Sequence, residues 1–575
     1  MYKLTFGTPE EHVPSKYCKN FNYIPKSVNF PTENISFRVN NRGCVLSFPL
    51  DNDAQIYGFG LQLKQFNHRG RKLKLSVNAD PIAPTGDSHA PVPFFVTNKG
   101  WGMYVDTARY AEFYCGNQIN SAFGGGQKRQ VVKEEGNRLA GISTDELYAI
   151  RQESDQTMTI QIPGCQGVDV YIIEGDTITD IVSQYNMLSG GGCDVPEWGL
   201  GVLYRCYSRY TDKQVIGIVE EMQSKDIPLH IIGLEPGWQT RTYSCSYLWS
   251  DLYPDPTGFL KTMREKGIHV NLWEHAFTHP TAPIHDAIAP YSGDTLVWGG
   301  LVPDFTLPEA RKIFADHQKT LIAAGVDGFK LDECDSSDYT GSWSFPLSAQ
   351  FPSGMDGEQY HSLFGLLYTQ VMMEALGDTP TLSEVRNMGA LAASYPFVLY
   401  SDLYEHQDFI RGVATAPFSG LLWSPELRDA ASREELLRRL QVVVFSVQCL
   451  INAWYCPDLP WREFGCEDEV RELLKLRVHL MPRLQEAFHI YKATGKPPIR
   501  ALVMDYTDDK EVANIDNEYL FCEDLLVAPI AAGQGNTRDV YLPQGDWEDF
   551  FTGESVQPGW HTVTTEGIPV YRKRG

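Results

Sequence analysis

Val326-Asp327-Gly328-Phe329-Lys330-Leu331-Asp332-Glu333-Cys334-Asp335 is the stretch that decides how this 575-residue chain is read. Val326–Asp332 is a short apolar run ending in a carboxylate. Helix-period segments precede it at Pro308–Ala324 and follow it at Tyr360–Ala375. An apolar run of this length between helices reads as a buried parallel strand. Outward from it, seven more runs have the same form: Gly199–Tyr204, His230–Glu235, His269–Trp273, Thr381–Arg386, Phe397–Asp402, Gly420–Glu426 and Val442–Asn452. Further helical stretches lie at Asp212–Lys225 and Gly258–Lys266. Eight strands with intervening helices predict a closed (β/α)8 barrel of the TIM type. The last run is open to a helical reading as well, because Arg433–Leu450 is long and periodic.

The flanks are different in kind. Up to about residue 188 the chain is β-rich, with short segments (Gly43–Phe48, Phe94–Val96, Gly102–Val105, Met158–Ile162) between Gly, Asn and Pro turns. That pattern predicts a β-sandwich. Gly190-Gly191-Gly192-Cys193 is a small-residue hinge into the barrel. Strand signals return at Arg500–Met504, Leu525–Ala528, Arg538–Leu542 and Thr562–Thr564. The expected architecture is multidomain α/β: an N-terminal β-sandwich (1–188), a catalytic (β/α)8 barrel (189–494) and a small C-terminal β-sandwich domain (495–575).

Composition narrows the function classes. The net charge of −24 repels phosphate backbones and anionic lipid, so neither nucleic acid nor membrane is an expected partner. No run of 18 apolar residues occurs, and the chain reads as soluble and cytoplasmic. The 12 cysteines form no CxxC pair and no zinc spacing, which reads as scattered core thiols, with no metal and no cofactor expected. Aromatics at 12% are compatible with stacking surfaces for sugars. A homo-oligomer is compatible with the sequence.

In a (β/α)8 barrel the chemistry sits at the C-terminal strand ends. Those ends here are Glu235, Trp273, Glu274, Asp332, Arg386, Asp402 and Glu426. One such carboxylate can cap the following helix; several converging on one mouth suit glycoside hydrolysis. That reaction needs two carboxyl groups, one as nucleophile and one as acid then base, about 5–5.5 Å apart in retaining enzymes. His275 beside Glu274 does not suggest a metal pair, because adjacent strand residues face opposite ways.

Several motifs carry a resemblance. Asp327-Gly328-Phe329-Lys330-Leu331-Asp332 looks like a DGF(W/K)xD strand. Tyr57-Gly58-Phe59-Gly60 looks like a YGxGE turn with Leu61 replacing the acid, and Pro93-Phe94 with Gly100-Trp101-Gly102 like a PF…GYG segment. Leu525-Leu526-Val527-Ala528-Pro529 and Val540-Tyr541-Leu542-Pro543 are similar to an LLVAP…VYLP run. From about Tyr57 to Arg574 the chain thus resembles glycoside hydrolase family 31, the α-glucosidase and α-xylosidase family.

The resemblance implies Asp332 as nucleophile of a retaining mechanism. It implies Asp402 as acid/base, since Asp402 follows Arg386 by sixteen residues as the family's WxGD Asp follows its Arg. Ser401 and Leu403 depart from that motif, and Glu405 is the alternative acid. Proximity to Asp332 is expected to raise the Asp402 pKa, with Arg386 helping to hold Asp332 ionised. Lys330 matches the α-xylosidase-like branch and is expected to face the sugar. Asp335 stands where the family usually has Glu.

Other departures concern the sugar. Glu235 replaces the usual Asp after the second strand, with Trp238 expected as an apolar wall. Leu450 and Asn452 replace the Arg and His of RxH, and Glu426-Leu427-Arg428-Asp429, after Trp423, replaces DIGG. The substrate-binding set is therefore Glu235, Trp238, Trp273, Lys330, Asp335, Arg386, Trp423, Glu426 and Asn452. These changes favour an exo-acting enzyme removing terminal α-galactose or a related sugar such as N-acetylgalactosamine. An α-glucosidase or α-xylosidase is the alternative, and a non-catalytic sugar-binding homologue is the reading from another class. A transglycosylase or lyase on the same frame also stays open.

Overall fold

The computed structural model describes residues 1–116, 156–337, 343–402 and 405–574. Its centre is an eight-stranded parallel sheet: β1 (Val202–Arg205), β2 (Ile231–Leu234), β3 (His269–Glu274), β4 (Gly328–Leu331), β5 (Ser383–Val385), β6 (Phe397–Leu399), β7 (Glu426–Leu427) and β8 (Cys449–Asn452). Neighbours pair in register from β1 to β6, and β8 lies between β1 and β7. A parallel bridge between Leu399 and Trp423, just ahead of β7, closes the ring. The barrel expected from the sequence is present.

Local physics explains both the matches and the differences. Asp212–Ser224 is capped by a Thr211/Gln214 capping box, and Pro256–Glu265 by Asp255. Pro308–Ala324 ends at Gly325, whose φ of 122° only glycine adopts without strain. The run Val442–Asn452 resolves into two elements, the end of helix Arg433–Val444 and strand β8. Gly420–Glu426 yields only the short β7, because Ala416–Ser419 is a 3₁₀ turn closed by left-handed Gly420. Between β5 and β6 the described chain is a loop rather than a helix. At the C-terminal side, Arg500–Met504 is strand only over Ile499–Ala501, after which Leu502–Asp505 turns helical.

Below the barrel, Arg477 on helix Glu467–Thr494 is fully buried and meets no carboxylate among the described residues. It donates instead to the carbonyls of Leu200, Val444, Ser446 and Val447 at 2.6–3.0 Å. One guanidinium thus ties the entry to β1 to the loop before β8. The N-terminal part holds two five-stranded antiparallel sheets facing each other across Leu46, Phe48, Phe95, Met103, Phe113 and Ile160. A six-stranded sheet and the hairpin Thr537–Leu542/Gly559–Thr564 form the C-terminal domain. Eleven of the 12 cysteines are buried, and none is in a disulfide.

Candidate active site

Alternation along β4 turns Lys330 and Asp332 to the inside of the barrel, while Phe329 and Leu331 pack outward. Asp332 stands one residue past the strand. Its Oδ2 accepts the Trp273 indole N–H at 2.6 Å and its Oδ1 accepts the Glu333 backbone N–H at 2.9 Å. Those two donors fix the carboxylate and aim it at the mouth. Arg386, one residue past β5, places Nε 3.8 Å from Asp332 Oδ1 and Nη1 2.5 Å from Asp402 Oδ2. Two strand-end carboxylates therefore meet on one guanidinium.

The division of charge differs from the sequence expectation. Burial pushes Asp402 up, but Arg386, then Lys330 and Arg428, outweigh it and hold its carboxyl at about 2. Asp402 is therefore ionised in this geometry. The reason is that Arg386 lies closer to Asp402 than to Asp332. Glu405 is exposed and starts the next helix.

Deeper in the barrel lies a buried ionic network that sequence reading missed. Arg205, the last residue of β1, donates to Glu384 at 3.1 and 2.8 Å, to Glu235 at 2.9 Å and to Asn271 at 2.6 Å. Gly233 makes room for it: a Cβ there would fall 2.5 Å from Arg205 Cγ. Lys330 Nζ sits 3.2 Å from both oxygens of Glu235 and 4.8 Å from the centre of the Tyr400 ring. Two cations balance two carboxylates, which is what tolerates them at this depth. Burial raises Glu384 despite Arg205.

Glu426 and Asn452 meet where β7 and β8 pair, Asn452 Nδ2 donating to Glu426 Oε2 at 2.7 Å. Burial, then the Asp402 charge, pushes Glu426 well above the usual carboxylate range. Its Oε1 has no hydrogen-bond partner among the described residues. A cavity of about 360 Å³, lined by Glu435, Arg439 and Tyr455, shares Glu426 and Arg428 with this ring.

Four expected residues lie elsewhere. Glu274 follows Trp273 and so faces the helices, where it accepts from Tyr368 at 2.8 Å and Gln318 at 3.2 Å. Trp238 is buried, donates to the Trp273 carbonyl at 2.6 Å and packs on Trp249, so it is no wall of the mouth. Trp423 points outward onto helix His406–Thr415, its indole N–H 3.3 Å from the Phe409 carbonyl. Asp335 is fully buried and bonds Arg386 at 3.0 Å and His89 at 2.5 Å, which makes it a support for Arg386 rather than a sugar contact.

His89 comes from the N-terminal domain and also reaches Ser401 Oγ at 2.6 Å. No barrel-periodicity argument could have found it. Tyr400, stacked under Lys330 and Arg386, was legible only as an apolar strand-end residue. Among the described residues no cluster of His, Cys, Asp or Glu is placed to hold a metal, and no helix is long and apolar enough to cross a membrane.

Comparison with known proteins agrees with this frame. Residues 193–487 match the glycosyl hydrolases family 31 TIM-barrel domain. Residues 495–575 match the family 31 C-terminal domain and residues 16–113 its N-terminal galactose mutarotase-like domain. An α-xylosidase of Emericella nidulans is 22% identical over 89% of this chain and 64% of its own length. The α-xylosidase XylQ of Lactiplantibacillus pentosus is 24% identical over 88% and 64%. The chain thus spans about 64% of the length of these relatives. In fold it is similar to a Flavobacterium johnsoniae family 31 dextranase complexed with isomaltotriose (TM-score 0.79, 22% identity, 94% of this chain and 67% of that one). It is also similar to a soil-metagenome α-xylosidase complexed with xylose (TM-score 0.77, 19% identity, 94% and 81%).

Proposed function

The chain belongs to glycoside hydrolase family 31, and on that footing we propose that it is an exo-acting retaining α-glycoside hydrolase. The observation that carries this reading is the Arg386 guanidinium shared by Asp332 and Asp402 at the barrel mouth. Asp332, held by the Trp273 and Glu333 N–H groups, attacks the anomeric carbon. The glycosidic C–O bond breaks, and the leaving oxygen takes a proton from Asp402. The glycosyl ester on Asp332 is then hydrolysed by a water that Asp402 deprotonates.

Asp402 must gain a proton before the first step. A neutral sugar that excludes water and displaces the carboxyl from Arg386 raises its pKa. Asp332 keeps its own N–H donors, the Trp273 indole and the Glu333 backbone, through this exchange.

For the sugar, terminal α-galactose or a related sugar such as N-acetylgalactosamine is our first reading. Its support is the altered pocket: Glu235 clamped by Arg205 and Lys330, Glu426 held by Asn452 with Oε1 3.6 Å from Arg428 Nε, and Leu450 and Asn452 where the family has Arg and His. A second reading, α-xylosidase or α-glucosidase, is favoured by the names of the relatives. A non-catalytic sugar-binding role is opposed by the presence of both carboxylates on Arg386.

A panel of nitrophenyl α-glycosides separates the sugars. Asp332→Asn is expected to lower kcat below detection on whichever is cleaved. Turnover retained by that variant defeats the assignment.

A further inference from the structure

His89 has a place in the site that the mechanism above leaves unused. It is fully buried and comes from the N-terminal domain, yet each ring nitrogen meets a barrel residue. Nδ1 lies 2.5 Å from Asp335 Oδ2 and Nε2 2.6 Å from Ser401 Oγ. Asp335 is ionised: burial pushes its carboxyl up, but Arg386 and then His89 outweigh it. A carboxylate only accepts, so Nδ1 carries the proton of that bond. The same Asp335 oxygen accepts Arg386 Nε at 3.0 Å, and Arg386 Nη1 donates to Asp402 at 2.5 Å. Ser401 is the residue before Asp402. One imidazole therefore holds both sides of the Arg386–Asp402 pair, the guanidinium through Asp335 and the backbone that carries the carboxyl through Ser401. The hydrogen bonds to Asp332 come instead from Trp273 and Glu333.

The backbone around His89 gives an independent sign. Strand Ile56–Gly60 pairs antiparallel with Pro91–Thr97, and the register shifts between Gly58 and Gly60, a bulge at Phe59. Phe59 has a φ of 66°, a left-handed value that a bulky residue adopts only under strain. Bulges and strain of this kind re-aim side chains beside active sites. Just past the bulge, fully buried Leu61 holds both neighbours of His89. Its N–H donates to the Ala90 carbonyl at 3.1 Å, and its own carbonyl accepts the Ser88 hydroxyl. Gly60 permits that approach, since a Cβ there would fall 2.0 Å from the Ala90 carbonyl oxygen. The Tyr57–Gly60 turn legible in the sequence thus serves to place one histidine.

We propose that His89 is a positioning residue for the acid/base: it fixes Asp402 against Arg386 from outside the barrel, which makes the N-terminal domain part of the catalytic centre. This deepens the retaining α-glycosidase reading and rests on Asp402 as its acid/base. The consequence is selective. Protonation of the leaving oxygen depends on where the Asp402 carboxyl stands, and a misplacement of about 1 Å costs about 10²-fold. Attack by Asp332 is spared, because its own donors remain. Loss of His89 therefore acts on substrates in proportion to their need for an acid.

The test compares kcat/KM, which reports formation of the glycosyl ester, for a benzyl α-glycoside and an α-glycosyl fluoride of the sugar that the nitrophenyl panel selects. Fluoride leaves without an acid. Wild type, His89→Ala, His89→Asn, Ser401→Ala and Asp402→Ala are measured. His89→Ala is expected to lose about 10²-fold on the benzyl glycoside and less than about threefold on the fluoride. His89→Asn puts an amide N–H where Nδ1–H stood, and is expected to recover about tenfold of that loss. Ser401→Ala removes a single oxygen and serves if the His89 variants fail to fold; it is expected to show the same split at about tenfold. Equal loss on both substrates, the mark of a merely structural histidine, or no loss on the benzyl glycoside, overturns the proposal and leaves the glycosidase reading standing. If Asp402→Ala itself loses equally on both substrates, the acid/base assignment fails, and the proposal with it.

Discussion

Replacing Glu274 by Gln removes a single ionisable proton from a fully buried place between β3 and the helices Pro308–Ala324 and Gly357–Leu376. Burial pushes the Glu274 carboxyl up to about 8 from 4.5, despite hydrogen bonds from Tyr368 and Gln318. Both of those bonds go to Oε1, and Oε2 has no hydrogen-bond partner among the described residues. Gln keeps the acceptor and puts an amide where the protonated oxygen stood.

A carboxyl whose folded pKa is raised contributes stability that is fully present below its unfolded value and is lost as pH rises through the folded one. At about 1.4 kcal/mol per pKa unit, the wild type therefore loses about 3.5 kcal/mol from this group between pH 5 and pH 8. Glu274→Gln does not lose it. For a barrel of this size that is a Tm gap opening by roughly 5 °C as the pH is raised. Melting curves of the two proteins at pH 5 and pH 8 measure it, with the variant the more stable at pH 8. Activity should be unchanged, since Glu274 faces away from the mouth. A Tm gap equal at both pH values, or a loss of turnover in the variant, refutes the reasoning.

Three other outcomes follow from the same structure. Asp402→Ala should retain turnover of an α-glycosyl fluoride, which needs no acid, while losing about 10²–10⁴-fold on a benzyl α-glycoside. Because Arg386 holds Asp402 at about 2 in the free enzyme, the alkaline limb of kcat/KM should lie at lower pH than that of kcat; coincident limbs would show that the pair does not separate on binding. Arg477→Met should leave four buried carbonyls without their donor and destabilise the barrel by about 3–5 kcal/mol, read as a drop in the urea midpoint with the active site untouched.

The barrel was readable because its strands are short apolar runs punctuated by amphipathic helices, a pattern set by burial on both faces. The strand ends were readable for the same reason. Asp332 and Asp402 need no tertiary information to be placed at the mouth, and Arg386 sits in the same register. What misled was the treatment of every strand-end side chain as facing inward. Trp273 and Glu274 are neighbours and turn opposite ways, so one reaches Asp332 and the other Tyr368. Trp238 and Trp423 are large apolar rings that a loop or a helix face buries as readily as a sugar pocket does.

By itself the sequence determined the three-part architecture, the family and the pair of strand-end aspartates, because these are written in periodicity and in short contiguous motifs. Only the tertiary structure decided who shares a charge with whom. Arg205, Glu384 and Lys330 are far apart in the chain and meet because parallel strands bring equal heights of the barrel together. His89 arrives from another domain to fix Asp335 and Ser401. Arg386 favours Asp402 over Asp332 by just over an ångström. Electrostatic energies in a desolvated site turn on distances of that size, and no reading of spacing along a chain supplies them.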